Sequence, residues 1–152
     1  MTEFAVELQR TFPVPRAKVY RAWLDPRLLA RWYSPDDMAI THTEVDERVG
    51  GRHLCEMLHP DGSRHAFESV IEELVADERI VLQFTFVGAA PVAMREDTLL
   101  TLTFADGAAP GTTDFTLRQE RITLSDALNP DNVDIGWGMA LAKLAALYER
   151  SQ

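Results

Sequence analysis

Cysteine is almost absent from this chain of 152 residues: Cys55 stands alone. A single thiol cannot form an internal disulfide, which fits a reducing compartment such as the cytoplasm and excludes a disulfide-stapled scaffold. Long apolar runs are missing too. No window approaches the roughly 18 consecutive apolar residues of a membrane-spanning helix. The opening Met1 to Phe12 lacks the basic-then-apolar order of a secretory signal. Basic residues are the minority, with 15 Lys and Arg against 24 Asp and Glu and a net charge of −9. That sign repels phosphate backbones and anionic bilayers, so neither nucleic acid nor a membrane is an expected partner. Repeats, linkers and low-complexity tracts are absent. So are G-x-S-x-G, the P-loop, G-x-G-x-x-G and H-E-x-x-H.

What remains is a chain of average globular composition, 46% hydrophobic and 26% charged. Its length suits one domain over residues 1–152. Phe4, Val6 and Leu8 alternate with Glu3, Glu7 and Gln9, which predicts a half-buried strand over Phe4–Phe12. Pro13 and Pro15 stop it, and Pro15 suits the first turn of a helix carrying Val19, Ala22 and Trp23. Asp25 is an N-cap candidate with Pro26 at N1, opening a second short helix through Leu28, Leu29 and Trp32. Period-two patterning then predicts six strands: Met38–Val45, Arg52–Leu58, Arg64–Val75, Arg79–Val87, Glu96–Phe104 and Thr113–Glu120. Breaks at Gly50-Gly51, Pro60-Asp61-Gly62, Asp77-Glu78, Gly88–Pro91 and Asp106–Gly111 separate them.

Asn129 and Pro130 begin a final helix whose apolar stripe runs through Val133, Trp137, Ala140, Leu141, Leu144, Ala145 and Tyr148. Gly136 and Gly138 weaken it by about 1 kcal/mol each relative to alanine, so close backbone approach to the sheet or a ligand is expected there. Short turns make the consecutive strands antiparallel. The final helix is the one element long enough to cover a sheet face. The expected class is α+β: a curved antiparallel sheet wrapped around a long C-terminal helix, with two short helices after the first strand.

The run Val19-Tyr20-Arg21-Ala22-Trp23-Leu24-Asp25-Pro26, followed by Leu29-Ala30-Arg31-Trp32-Tyr33, resembles the "W-x-A-(W/L)-T-D-P … L-x-x-W" opening of a bacterial family. These proteins are similar to the C-terminal domain of the activator of Hsp90 ATPase, within the START/Bet v 1-like superfamily. Val45-Asp46-Glu47-Arg48-Val49-Gly50-Gly51-Arg52 matches its "V-D-x-R-x-G-G". Asp61-Gly62 matches its "P-D-G". Glu72–Val75 through Glu78-Arg79-Ile80 matches "L-E-I-V-P-P-E-R-L", with Ala76-Asp77 replacing the prolines. Gly136-Trp137 with Leu141 and Leu144 matches "G-W-x-x-x-L-x-x-L". The motifs are collinear over nearly the whole chain. Three positions depart from the pattern: Val133 and Gln119 stand where relatives often carry histidine, and His53 where they often carry an aromatic.

The resemblance implies the helix-grip fold and a hydrophobic cavity between sheet and final helix, for lipids, polyketides or other small apolar molecules. It implies that His53, Cys55 and Met57 face inward. Phe67, Ser69 and Ile71 would form a second wall, and Leu82, Phe84 and Phe86 a third. Leu100, Leu102 and Phe104, then Phe115, Leu117 and Gln119, complete the sheet side. Trp137 and Leu141 would supply the helix side, and Trp32 and Tyr33 the mouth. A fully packed core is the alternative. A long helix across a strongly bent sheet cannot touch it everywhere, so large side chains or a ligand must fill the gap.

Chemistry has few candidates. His53 and Cys55 share a face, but zinc needs two further ligands and none stands at diagnostic spacing, so no metal or other cofactor is expected. His59 and His65 flank a turn and read as solvated. Cys55 reads as a small buried hydrophobe rather than a nucleophile. Gln119, His53 and Ser69 are polar at inward positions and could anchor a ligand oxygen or bond to a neighbour. Glu56, Glu68 and Asp114 fall on the outer face. The main expectation is non-catalytic binding of a small hydrophobic molecule. The alternatives are a cyclase- or hydrolase-type enzyme using His53 or Gln119, and a chaperone-binding module. A homodimer is compatible with the sequence but not demanded by it.

Overall fold

The computed structural model describes residues 2–34, 38–88, 95–125 and 128–149. It contains strand β1 (Glu3–Phe12), helices α1 (Arg16–Leu24) and α2 (Pro26–Trp32), and strands β2 (Ala39–Val45), β3 (Arg52–Leu58) and β4 (Arg64–Val75). Strands β5 (Arg79–Gly88), β6 (Arg95–Asp106) and β7 (Thr113–Thr123) follow, and helix α3 (Pro130–Glu149) ends the fold. The strands form one antiparallel sheet in the order β1-β7-β6-β5-β4-β3-β2. The antiparallel sheet with its C-terminal helix is the helix-grip arrangement. The connection expected at Gly88–Pro91 lies, beyond Gly88, outside the described residues.

Local chemistry sets the boundaries. Asp25 caps α2, accepting from the Arg27 N–H at 2.9 Å, with Pro26 at the first helical position. Asn129 caps α3 through the Asn132 N–H at 3.0 Å. Pro15 differs from expectation. It sits one residue before α1, in extended conformation (φ −62°, ψ 151°), and supplies no side-chain cap. Gly51 has a strict steric role: a Cβ there would lie 2.0 Å from the Asp46 carbonyl oxygen and 2.8 Å from that of Arg48. This tight loop is pinned to β4 by Gly50 N–H to Ile71 O at 2.7 Å and Ile71 N–H to Gly51 O at 2.9 Å.

Three register shifts, at Phe4/Val6, Ile40/His42 and Ile71/Glu73, interrupt the ladders. Such irregularities bend strands and increase twist. The first involves Arg121, held at φ +63°. It carries β7 past its simple alternation, so that Ile122 is buried while Arg121 is exposed.

The concave side of the sheet is more filled than the sequence suggests. Trp23 lies in its centre, edge-on to Trp32 at 4.6 Å, stacked on Phe115 at 5.7 Å and 6.0 Å from Trp137. Phe104 and Phe115 pack at 5.4 Å beneath α1, and Phe12 meets both Phe115 and Tyr148. Deleting one such ring would cost about 3–5 kcal/mol through lost burial and the cavity left behind. Helices α1 and α2 therefore plug one half of the concavity, and α3 closes over the other.

Candidate functional site

A recess of about 150 Å3 remains between the first half of α3 and strands β4–β7. It is partly open to solvent. Phe67, Phe84 and Phe86 form its sheet wall, Trp137 and Gly136 its helix wall, and Leu128, Asn132 and Val133 its rim. Tyr33, Thr98, Gln119, Ile122 and Ala140 complete the lining. The rings interlock: Phe67–Phe84 centroids are 4.8 Å apart, Phe84–Trp137 5.6 Å, and Tyr33–Trp137 5.8 Å. No charged side chain lines this recess among the described residues.

Three of its polar side chains, Trp137, Gln119 and Thr98, are bonded in a chain. The Trp137 indole N–H donates to Gln119 Oε1 at 2.8 Å, and Gln119 Nε2 donates to Thr98 Oγ1 at 2.9 Å. Thr98 in turn donates to the Phe84 carbonyl at 3.0 Å. Buried polar groups need such partners. Gln119 is thus fixed by its neighbours rather than held open for an occupant.

Of the residues placed inward by resemblance, the fold brings Tyr33, Phe67, Phe84, Phe86, Gln119 and Trp137 to the recess. Cys55, Met57, Ile71, Leu82, Leu100, Leu102, Phe104, Phe115, Leu117 and Leu141 are buried in the solid core instead. Trp32 and Tyr33 do not form a mouth, since both are fully buried. Trp32 donates through Nε1 to the Ala22 carbonyl at 3.2 Å, away from the recess. The cause is the Trp23 cluster, which occupies the space the expectation left hollow.

His53 is buried and bonded through Nε2 to the Trp23 carbonyl at 2.7 Å. A carbonyl only accepts, so Nε2 carries the proton. Burial lowers the His53 pKa and favours this neutral form. Its Nδ1, the Tyr33 hydroxyl and the Ser69 hydroxyl are buried with no hydrogen-bond partner among the described residues. His53 and Ser69 stand opposite each other on β3 and β4, and the Tyr33 ring lies 5.7 Å from that of His53. Burial pushes the Cys55 thiol up to about 12, so it stays protonated and non-nucleophilic. Burial likewise holds the Tyr33 phenol well above its ordinary range. No group of three or more His, Cys, Asp or Glu side chains converges among the described residues.

His65 corrects the expectation of a solvated pair. It is buried, with ring contacts to Phe67 at 5.3 Å and Phe86 at 4.9 Å, and its Nδ1 is hydrogen-bonded to His59 Nε2. Gly136 and Gly138 correct another. A Cβ at Gly136 would meet nothing within 4 Å, and one at Gly138 would come only to 3.9 Å of an Arg10 nitrogen. Close backbone approach explains neither. Gly136 opens onto the recess.

The family model described as Activator of Hsp90 ATPase homolog 1-like protein matches residues 13–149. The chain belongs to that family. A protein of Chromobacterium violaceum shares 36% identity with this family member, with a TM-score of 0.81 over 95% of this chain and 96% of that one. An uncharacterized protein of Rhizobium leguminosarum shares its fold at 22% identity and a TM-score of 0.84, covering 98% and 96% of the two chains. The AHSA1 protein of Silicibacter pomeroyi does so at 16% identity and a TM-score of 0.75, covering 98% and 100%. Comparison with curated proteins gives no match.

In this Hsp90-activator-like chain, sequence reasoning passed over several lining residues. Thr98 had the parity of Leu100 and Leu102 and was legible. Val133 and Ala140 lay on the recognised helical stripe. Ile122 was hidden by the irregularity at Arg121, since plain alternation from Gln119 points to residue 121. Asn132 and Gly136 carry no hydrophobic signal, and Leu128 lies outside any periodic element.

Proposed function

We propose that this Hsp90-activator-like domain binds a small uncharged molecule, aromatic or otherwise apolar, in the recess between α3 and the sheet. One observation carries the reading: Phe67, Phe84, Phe86 and Trp137 surround about 150 Å3 of space with no charged side chain in the lining among the described residues. Aromatic walls favour aromatic occupants through offset and edge contacts. An apolar cavity of roughly this volume accommodates one benzene-sized ring. The partly open side leaves room for a substituent. An anionic head inside would lose its hydration without gaining a cation. The catalytic alternative has no comparable support, because His53 donates to a backbone carbonyl in the core.

The test is thermal unfolding with one- and two-ring neutral compounds such as indole and naphthalene. A ligand at 100 times its Kd adds about 2.7 kcal/mol of stability, so a clear rise in Tm is expected. Gly136→Leu, which places a side chain into the recess, should remove it. No rise with any such compound would overturn the reading.

A further inference from the structure

We propose that a second recess, beside the C-terminal end of α3, binds an amphiphilic anion: a small molecule with an apolar body and a carboxylate or phosphate head. It lies where α1, α2 and α3 meet and measures about 340 Å3. That is the lower end of small-molecule sites, roughly 300–1,000 Å3. Leu147 and Tyr148 place it more than ten residues along α3 from Gly136, about 15 Å at the helical rise. The two recesses are therefore separate.

Charge distribution carries the proposal. Residues 16–31 hold five Lys and Arg and one Asp, a net of +4. The rest of the chain then carries −9 − 4 = −13. Three of these five cations have carboxylate partners: Arg16 with Asp106 at 3.2 Å, Arg27 with Asp25 at 3.4 Å, and Arg21 with Glu47. The side chains of Lys18 and Arg31 have none among the described residues. Both of these cations line the recess, together with Arg21.

The rest of the lining is mainly apolar. Ala22 and Tyr148 are buried, and Leu28 and Leu147 are half-buried. The Tyr148 hydroxyl donates to the Lys18 carbonyl at 3.1 Å. An apolar floor ringed by cations suits a molecule that is oily at one end and anionic at the other. The first turn of α1, which includes Ala17, has no acidic residue and no capping side chain. The helix dipole adds a partial positive charge at that end of α1. The nearby carbonyl end of α3 opposes an anion but is outweighed by the full charges of Lys18 and Arg31, Arg21 being shared with Glu47.

The experiment titrates labelled protein with 4-phenylbutyrate and with phenyl phosphate, reading backbone amide shifts at low salt. 4-Phenylbutanol is the uncharged control. Expected are saturable shifts at Ala17–Arg21, Leu28–Arg31 and Leu147, with Gln119 and Trp137 unmoved. The alcohol should bind about tenfold more weakly, and Lys18→Gln with Arg31→Gln should weaken both anions by a similar factor. Which anion binds more tightly identifies the head group. Four results would each overturn the proposal: no saturable shift at millimolar probe, shifts confined to Gln119 and Trp137, equal binding of the alcohol, or unchanged affinity in the folded double variant.

Discussion

Trp137 and Gln119 hold each other across the wall of the first recess: the indole N–H reaches the amide oxygen at 2.8 Å, and the same amide reaches Thr98 at 2.9 Å. One side chain from β7 thereby fixes an α3 residue and a β6 residue. Gln119→Leu leaves the indole N–H without its acceptor. A buried donor left unpaired costs about 1–3 kcal/mol. Urea unfolding should register that loss as a lower midpoint with an unchanged slope. An unaltered midpoint would remove Gln119 from its structural role.

Gly136 separates stability from binding. Its missing Cβ would touch nothing within 4 Å. Gly136→Ala should therefore stabilise the protein by about 0.5–1 kcal/mol, the helix-propensity difference. The added methyl enters the recess, so the same variant should bind a neutral aromatic ligand more weakly. Calorimetric unfolding and titration on one sample check both halves.

The orphaned hydroxyls of Tyr33 and Ser69 give a prediction opposite to the usual effect of core mutation. Removing a buried hydroxyl that lacks a partner relieves a desolvation cost and breaks no bond. Tyr33→Phe and Ser69→Ala should each be neutral or stabilising, by up to about 1 kcal/mol. A loss beyond that in guanidinium unfolding would mean that these hydroxyls have partners after all.

Acid should weaken the fold through His65. Burial and the neighbouring His59 lower its pKa from 6.5 to about 4. Above pH 6.5 it is neutral in both folded and unfolded chains, so stability is unaffected by it. Between 6.5 and 4 only the unfolded chain binds the proton, and stability falls as pH falls. The full loss is on the order of 3 kcal/mol, complete below pH 4. His65→Gln should flatten this part of the stability–pH curve, as followed by circular dichroism.

Gly51 should tolerate no side chain. An alanine methyl would lie 2.0 Å from a backbone oxygen that cannot swing aside. Gly51→Ala should cost more than about 2 kcal/mol, since the loop joining β2 to β3 must shift. Gly136, where a Cβ meets nothing within 4 Å and φ is not positive, serves as the control for crowding.

The order and type of elements were legible because they rest on local chemistry. Alternation marked the strands, Asp25 and Asn129 marked helix starts, and Trp137 marked the buried stripe of α3. Inward parity came from the resemblance: His53, Cys55 and Met57 are buried, and so is Leu54 of the opposite parity. What parity could not decide was where packing is complete. Trp23 enters from a short helix to fill the centre, and nothing in its spacing reports how deep it reaches. The pairing of Gln119 with Trp137 joins positions far apart in the chain, so it needed the fold. The second recess was invisible because the sequence alone singles out neither Lys18, Arg21 nor Arg31, and α1, α2 and α3 meet only in the fold.

The irregularity at Arg121 has a consequence for how the chain can change length. With it, methyl groups of Ile122 close one end of the aromatic chamber, and the guanidinium of Arg121 stays in water. Deleting Glu120 or Arg121 would restore even alternation between Gln119 and Ile122 and leave Ile122 facing the chamber. The tail of β7 is therefore a place where one codon can be lost without turning a cation inward, whereas straightening it at full length would carry Arg121 to the chamber side.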